Sequence, residues 1–282
     1  MADGAGHFPQ AQVELHIGLV NNMPDGAFLA TERQFSTLLQ TAGGAATIRL
    51  HRFFLPEIER GEAVAAQLRR RYRSAERLFE GRLDGVIVTG SEPRAPNIED
   101  EVYWPSFRRL VDWAELNTRS TLWSCLAAHA AVLHLHGVRR RPLEQKLSGV
   151  FRRTRVSAEG ARRGLALGAP VPHSRLNTLP QAELARRGYE VLAEIEGGDL
   201  DAFTLDAGSR FVFVQGHPEY EADTLRLEYE RDLNRSLRGR LPEPPRPPAN
   251  YDGRASWRQS AVGFYAAWLG ELGSAAALHS AA

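Results

Sequence analysis

Apolar and polar positions alternate in blocks along the chain. Glu14–Val20 (ELHIGLV) is an apolar-dominated run ending at NNMPDG, where Asn, Pro, Asp and Gly favour a turn over continued extension. The pattern predicts a strand there and a helix over about 29–41. ATIRLHRFF (46–54) predicts a second strand, and the charged stretch 61–80 a second helix. DGVIVT (84–89) is short, β-branched and almost wholly apolar, as expected of a strand covered on both faces in a parallel sheet. The loop GSEPRAPN follows, then a helix over 104–117, the strand STLWS, and a helix over 126–136. Strands alternating with helices of this length imply βαβ units and an α/β fold with a doubly wound, mostly parallel sheet flanked by helices.

The second half is less regular. Residues 139–155 (RRRPLEQKLSGVFRRTR) are basic and contain a turn, and read as a surface crossing. Apolar runs at 189–195 and 211–215 predict strands, and 222–237 a helix. LPEPPRPPANYDG reads as an extended strap, because proline lacks the N–H that a helix requires. SWRQSAVGFYAAWLGEL has helical periodicity. With no internal repeat or linker, the expectation is one α/β domain over 1–282, with tails at about 1–12 and 274–282.

Composition narrows the class. A chain of 282 residues that is 43% hydrophobic can bury a sizeable core. With 35 Lys+Arg against 34 Asp+Glu the net charge is +1, which recommends neither nucleic acid nor a membrane surface as a partner. A single cysteine makes no intramolecular disulfide and fits a reducing compartment. No run reaches the roughly 18–20 apolar residues of a membrane span, and MADGAGHFPQ lacks a signal peptide's basic start and apolar middle. These readings predict a cytoplasmic protein, with a homodimer as the commonest default assembly.

In an open parallel sheet, ligands bind beyond the carboxyl ends of the strands. Four such ends carry informative residues: NNMPDG, GSEPR, Ser124-Cys125 and QGHPEYE. Cys125 opens a predicted helix, whose N-terminus favours a thiolate; the local pattern fits a buried structural thiol equally well. His217 and Glu219 stand two apart just past a strand, with Pro218 stiffening the turn, so both can face one side and complete a Cys-His-Glu triad. Taken alone, a helix-capping histidine and a solvated glutamate explain the same residues. His129, His134 and His136 lack an accompanying acidic set and do not form a metal site; no metal is expected.

Together these residues resemble the class I glutamine amidotransferase-like fold, with its flavodoxin-like core. More closely, the chain is similar to the homoserine O-acyltransferases of methionine biosynthesis. The matching pieces run in order: NNMP with TERQF, DGVIVTGSEP, VYWPSF, STLWSCLAAHAAVLHLHG, EQKLSGVF, PHSR, FVQGHPEYEADTLRLEYERDL and RASWRQSAVGFYAAWL. The resemblance implies that Cys125 takes an acyl group from acyl-CoA, the co-substrate, and passes it to the hydroxyl of L-homoserine. No bound cofactor is implied. His217 would be the general base and Glu219 its orienter; Arg231 would bind the amino acid's carboxylate, and Lys146 and Ser174 would contact substrate. Departures cluster at the site. The family's lysine after NxMP is replaced by Asp25 and Gly26, the tryptophan after the nucleophile by Leu126, and the glutamine four past it by His129. The resemblance implies that the position separating succinyl from acetyl donors in the family falls on Arg94, whose guanidinium would suit a succinyl carboxylate. The departures leave serine or another amino alcohol as an alternative acceptor, and an amidotransferase-like protein of altered activity as an alternative reading.

Overall fold

The computed structural model describes residues 13–241 and 243–280, the side chains of 275–280 apart; the expected tail at 1–12 lies outside the described residues. The strands are β1 (Glu14–Val20), β2 (Thr47–Phe54), β3 (Arg73–Ser74), β4 (Leu83–Val88), β5 (Thr118–Ser124), β6 (Arg141–Val156), β7 (Pro170–Thr178), β8 (Glu190–Ile195), β9 (Leu200–Ala207) and β10 (Ser209–Val214). The helices are α1 (Asp25–Ala42), α2 (Glu62–Arg71), α3 (Ala75–Leu78), α4 (Trp104–Asn117), α5 (Leu126–His136), α6 (Ala158–Arg162), α7 (Gln181–Arg186), α8 (Thr224–Leu237) and α9 (Arg258–Ser280). One ten-stranded sheet runs β3-β2-β1-β4-β5-β10-β9-β8-β6-β7. Pairings from β3 through to β10 are parallel, and those from β10 to β7 antiparallel.

The period-two alternation of a strand explains why Phe211–Val214 of β10 is apolar at every position. Phe211 and Phe213 of β10 pack into one core with Trp123 and Phe107, whereas Val212 and Val214 pack into another with Leu122, Tyr265 and Trp268. Helices α4 and α5 cover the first face, α1 and α9 the second. Docking of α9 depends on Gly85, where an added Cβ would lie 2.8 Å from Trp268 and 2.7 Å from Leu272.

Several boundaries differ from the pattern reading. Helix α1 begins at Asp25, because Pro24 is extended at the N-cap and the acid in the first turn suits the helix dipole. The stretch 61–80 is not one helix: buried Tyr72 turns inward to Glu32 (3.1 Å), and Arg73–Ser74 pairs with β2 before α3 begins. The basic run 139–155 is not a surface crossing but most of the long strand β6, which pairs first with β7 and then with β8. Arg141, Arg152 and Arg155 are exposed while Arg153 is buried against Asp201, and this mixture on a half-exposed strand hides the period-two signal. Strand β7 carries Pro170 and Pro172 and occupies the sheet edge, the position that tolerates proline. The helix at the chain's end continues to Ser280, past Gly273. Among the described residues the proline-rich stretch forms no helix and meets β6 at Gly149: Ala249 N–H donates to Ser148 O (2.8 Å) and Val150 N–H to Ala249 O (2.9 Å).

Candidate active site

Cys125 occupies the sharp turn between β5 and α5, with φ 50° and ψ −109°. A non-glycine residue at positive φ is costly and persists where its surroundings over-determine it. Here its N–H donates to Val214 O (2.8 Å), and its carbonyl accepts from Ala128 (3.0 Å) and His129 (3.3 Å). The first of these bonds joins the ends of β5 and β10, neighbouring parallel strands. The chain leaving β10 therefore passes beside the thiol, and it carries Gly216, His217 and Glu219.

His217 and Glu219 are both buried, and His217 Nδ1 lies 2.9 Å from Glu219 Oε1. The Cys125 thiol acts on the same ring. Burial opposes the charged imidazolium, but Glu219 and Cys125 outweigh it and raise the ring well above its ordinary value. The ring is fixed from two further directions. It stacks on Tyr220 at 4.3 Å between centroids, and its backbone N–H donates to Pro172 O in β7 (2.7 Å). Beneath it, Asp201 accepts from Arg153 Nε (2.6 Å) and lies 3.2 Å from His173. Gly216 packs so closely on this cluster that a Cβ would sit 2.8 Å from Asp201 Oδ1.

The loop after β4 meets the helix that follows Cys125. A Cβ at Gly90 would lie 3.3 Å from the Leu126 nitrogen. Leu126 opens α5, so its N–H has no intrahelical acceptor and is available to a developing oxyanion. Asn22, at the end of β1, is tied to the same loop through its N–H to Thr89 Oγ1 (2.8 Å). A cleft of about 510 Å³ opens beside these loops, lined in part by Asn22, Arg60, Ser91, Arg94, Tyr103 and Arg235.

Of the other residues singled out, Lys146 and Arg231 are brought together. Lys146 Nζ lies 2.7 Å from Asp232 Oδ2, and Arg231 Nη2 2.8 Å from Asp232 Oδ1. Ser174 donates to Glu228 Oε2 (2.5 Å), and Glu228 Oε1 accepts from Tyr220 (2.8 Å), which links the histidine's stacking partner to the same helix. Arg94 lines the cleft but extends outward, 62% exposed and 3.4 Å from Glu59. His129 is buried against Gln215 (2.7 Å), His134 meets Asp112, and His136 meets Tyr189. Among the described residues, no three His, Cys, Asp or Glu side chains are grouped to hold a metal ion, and no helix is long and apolar enough to cross a membrane.

Asp232 and Glu228 were not anticipated from the sequence. The signal was present: Glu228, Arg231, Asp232 and Arg235 recur at three- and four-residue spacing, which puts them on one face of α8.

The parallel half-sheet, the strained cysteine turn and the His-Glu pair define a protein of the class I glutamine amidotransferase-like fold. A glutamine amidotransferase from Thermotoga maritima superposes with a TM-score of 0.56 over 93% of this chain and 99% of that one, at 16% identity. The model of the family described as homoserine O-succinyltransferase matches residues 5–275, and the chain belongs to that family. Proteins named homoserine O-succinyltransferase from Rhodopseudomonas palustris and Bradyrhizobium japonicum are 50% and 48% identical. These alignments cover 84% of this chain and 71% of the former relative, and 85% and 74% for the latter.

Proposed function

We propose that the protein transfers a succinyl group from succinyl-CoA to the hydroxyl of L-homoserine, through a thioester on Cys125, in methionine biosynthesis. Family membership supports the reaction, and one observation supports the route: Cys125 stands on a strained turn bonded to the end of β10, from which His217 follows, with Glu219 2.9 Å behind the imidazole. In this reading the Cys125 sulfur attacks the thioester carbonyl of succinyl-CoA. The tetrahedral oxyanion is met by the Leu126 N–H at the start of α5. Collapse expels CoA, whose sulfur takes the proton held by His217. Homoserine then enters, His217 accepts its hydroxyl proton, and the alkoxide attacks the acyl-cysteine to release O-succinylhomoserine and the free thiol. Glu219 holds the ring in orientation and stabilises the imidazolium formed at each transfer. Arg231, two-fifths exposed beside Asp232, offers its remaining guanidinium N–H groups to the acceptor's carboxylate, with Lys146 and Ser174 completing that subsite.

The reading is tested by following CoA release from succinyl-CoA and from acetyl-CoA in the presence of homoserine. Turnover should require homoserine, favour succinyl-CoA and vanish in Cys125→Ala. Absence of homoserine-dependent release from either donor would overturn it.

A further inference from the structure

Helix α5 is apolar where it is buried, with one exception. From Leu126 to Val132 every side chain is buried, and His129 is the polar one among them. Its Nε2 lies 2.7 Å from Oε1 of Gln215, which is itself fully buried at the exit of β10. Burial disfavours the imidazolium, so the neutral ring donates from Nε2 and leaves Nδ1 bare.

This bond joins the two segments that carry the reacting groups. On one side, His129 N–H donates to the carbonyl of Cys125 (3.3 Å), so the imidazole rides on the turn that holds the nucleophile. On the other, Gln215 stands two residues before His217. The backbone there is gripped from the antiparallel side of the sheet: Gln215 N–H donates to Asp201 O in β9 (2.7 Å), and His217 N–H to Pro172 O in β7 (2.7 Å). The Gln215 side chain, together with the bond from Cys125 to Val214, ties the same loop to the nucleophile's side.

Stability does not explain the pair. Burying an imidazole and an amide costs free energy, of which one hydrogen bond recovers a part. Among the described residues, His129 Nδ1 and Gln215 Nε2 are buried with no hydrogen-bond partner in the protein. Apolar side chains of similar volume at both positions would avoid that cost but lose the directional tie. Resting on the acyltransferase reading above, we propose that Gln215 is a positioning residue: held by His129, it sets His217 at proton-transfer distance from Cys125 and so serves both half-reactions.

Kinetics and unfolding of the full-length protein test this. Gln215→Met should lower kcat/KM for succinyl-CoA and for homoserine by one common factor of about 10- to 100-fold, the loss expected when a catalytic group is displaced by up to about 1 Å. A loss confined to one substrate would place Gln215 in that substrate's subsite and overturn the proposal, as would no loss. His129→Leu should behave alike, and the double variant should lose no more than either single one, because both remove the same tie; additive losses would overturn the proposal. In urea at about pH 7 the double variant should unfold at a midpoint no lower than that of the unaltered protein. A lower midpoint would show that the pair serves stability and overturn the proposal. His129→Gln, which keeps an N–H donor on α5, should retain more activity than His129→Leu, and equal losses would overturn the proposal. A further readout needs no turnover: the rate constant for alkylation of Cys125 by iodoacetamide follows the thiolate that His217 maintains, and should fall by about tenfold in Gln215→Met. An unchanged rate constant in the folded variant would overturn the proposal. Should the unaltered protein release CoA from neither donor, the acyltransferase reading fails, and alkylation still decides whether the tie places His217 at Cys125.

Discussion

At the scale of single residues, the account rests on Cys125, His217 and Glu219. The backbone strain at Cys125, of order 1–3 kcal/mol, exposes the sulfur at the head of α5. Glu219 acts on His217 through charge as well as orientation. Glu219→Gln should lower kcat/KM by about 10²- to 10⁴-fold and move the limb of the pH profile that reports His217 to lower pH, because its main raising influence is gone. A CoA-release profile within about twofold of the unaltered protein would contradict this. His129 supplies a stability test. Burial holds it at about 4, below its ordinary value near 6.5. Between those values the unfolded chain binds the proton and the folded one does not, so stability falls as pH drops through that window. His129→Gln should remove about 2–3 kcal/mol of the decline between about pH 7 and pH 4.5, read from urea unfolding; an unaltered decline would contradict it. Cys125, His217 and Glu219 stood out in the sequence because they follow apolar runs that end at turns, but the local pattern fitted a structural thiol and a capping histidine as well, and the family resemblance set them together. Asp232 and Glu228 were not, since an acid on a charged helix has the same local signature whether it faces water or a neighbouring lysine.

At the scale of elements, the parallel half announced itself and the antiparallel half did not. Strands β1, β4, β5 and β10 are buried over their carboxyl-terminal halves, and in β1, β4 and β10 that half is continuously apolar. Strand β6 is half-exposed and arginine-rich, and β7 holds two prolines that a sheet edge accommodates. Yet this annex carries Lys146 and Ser174 toward α8, and the strap over Gly149 holds it in place. Gly149 has φ +152°, and a Cβ there would lie 2.3 Å from Ala249 O. Gly149→Ala should cost about 1–3 kcal/mol, because the strap must move off β6. A lowered urea midpoint checks this, and an unchanged midpoint would contradict it.

At the scale of the whole molecule, the site lies where a doubly wound sheet predicts. Strand β1 is flanked by β2 on one side and β4 on the other, so the connections diverge there and open a crevice at the carboxyl ends. Asn22, Gly90, Cys125 and His217 follow four successive strands of that edge, β1, β4, β5 and β10. No local pattern reveals this convergence, which depends on strand order and on the bond between Cys125 and Val214. The central claim is that Cys125 carries the acyl group between donor and acceptor. Its most direct test is to mix the protein with succinyl-CoA without homoserine, map the modified peptide by mass spectrometry, and then add homoserine. The account predicts one succinyl group on Cys125, absent in Cys125→Ala, discharged on adding homoserine with formation of O-succinylhomoserine. No adduct on Cys125 in a protein that turns over, or an adduct that homoserine does not discharge, would contradict it.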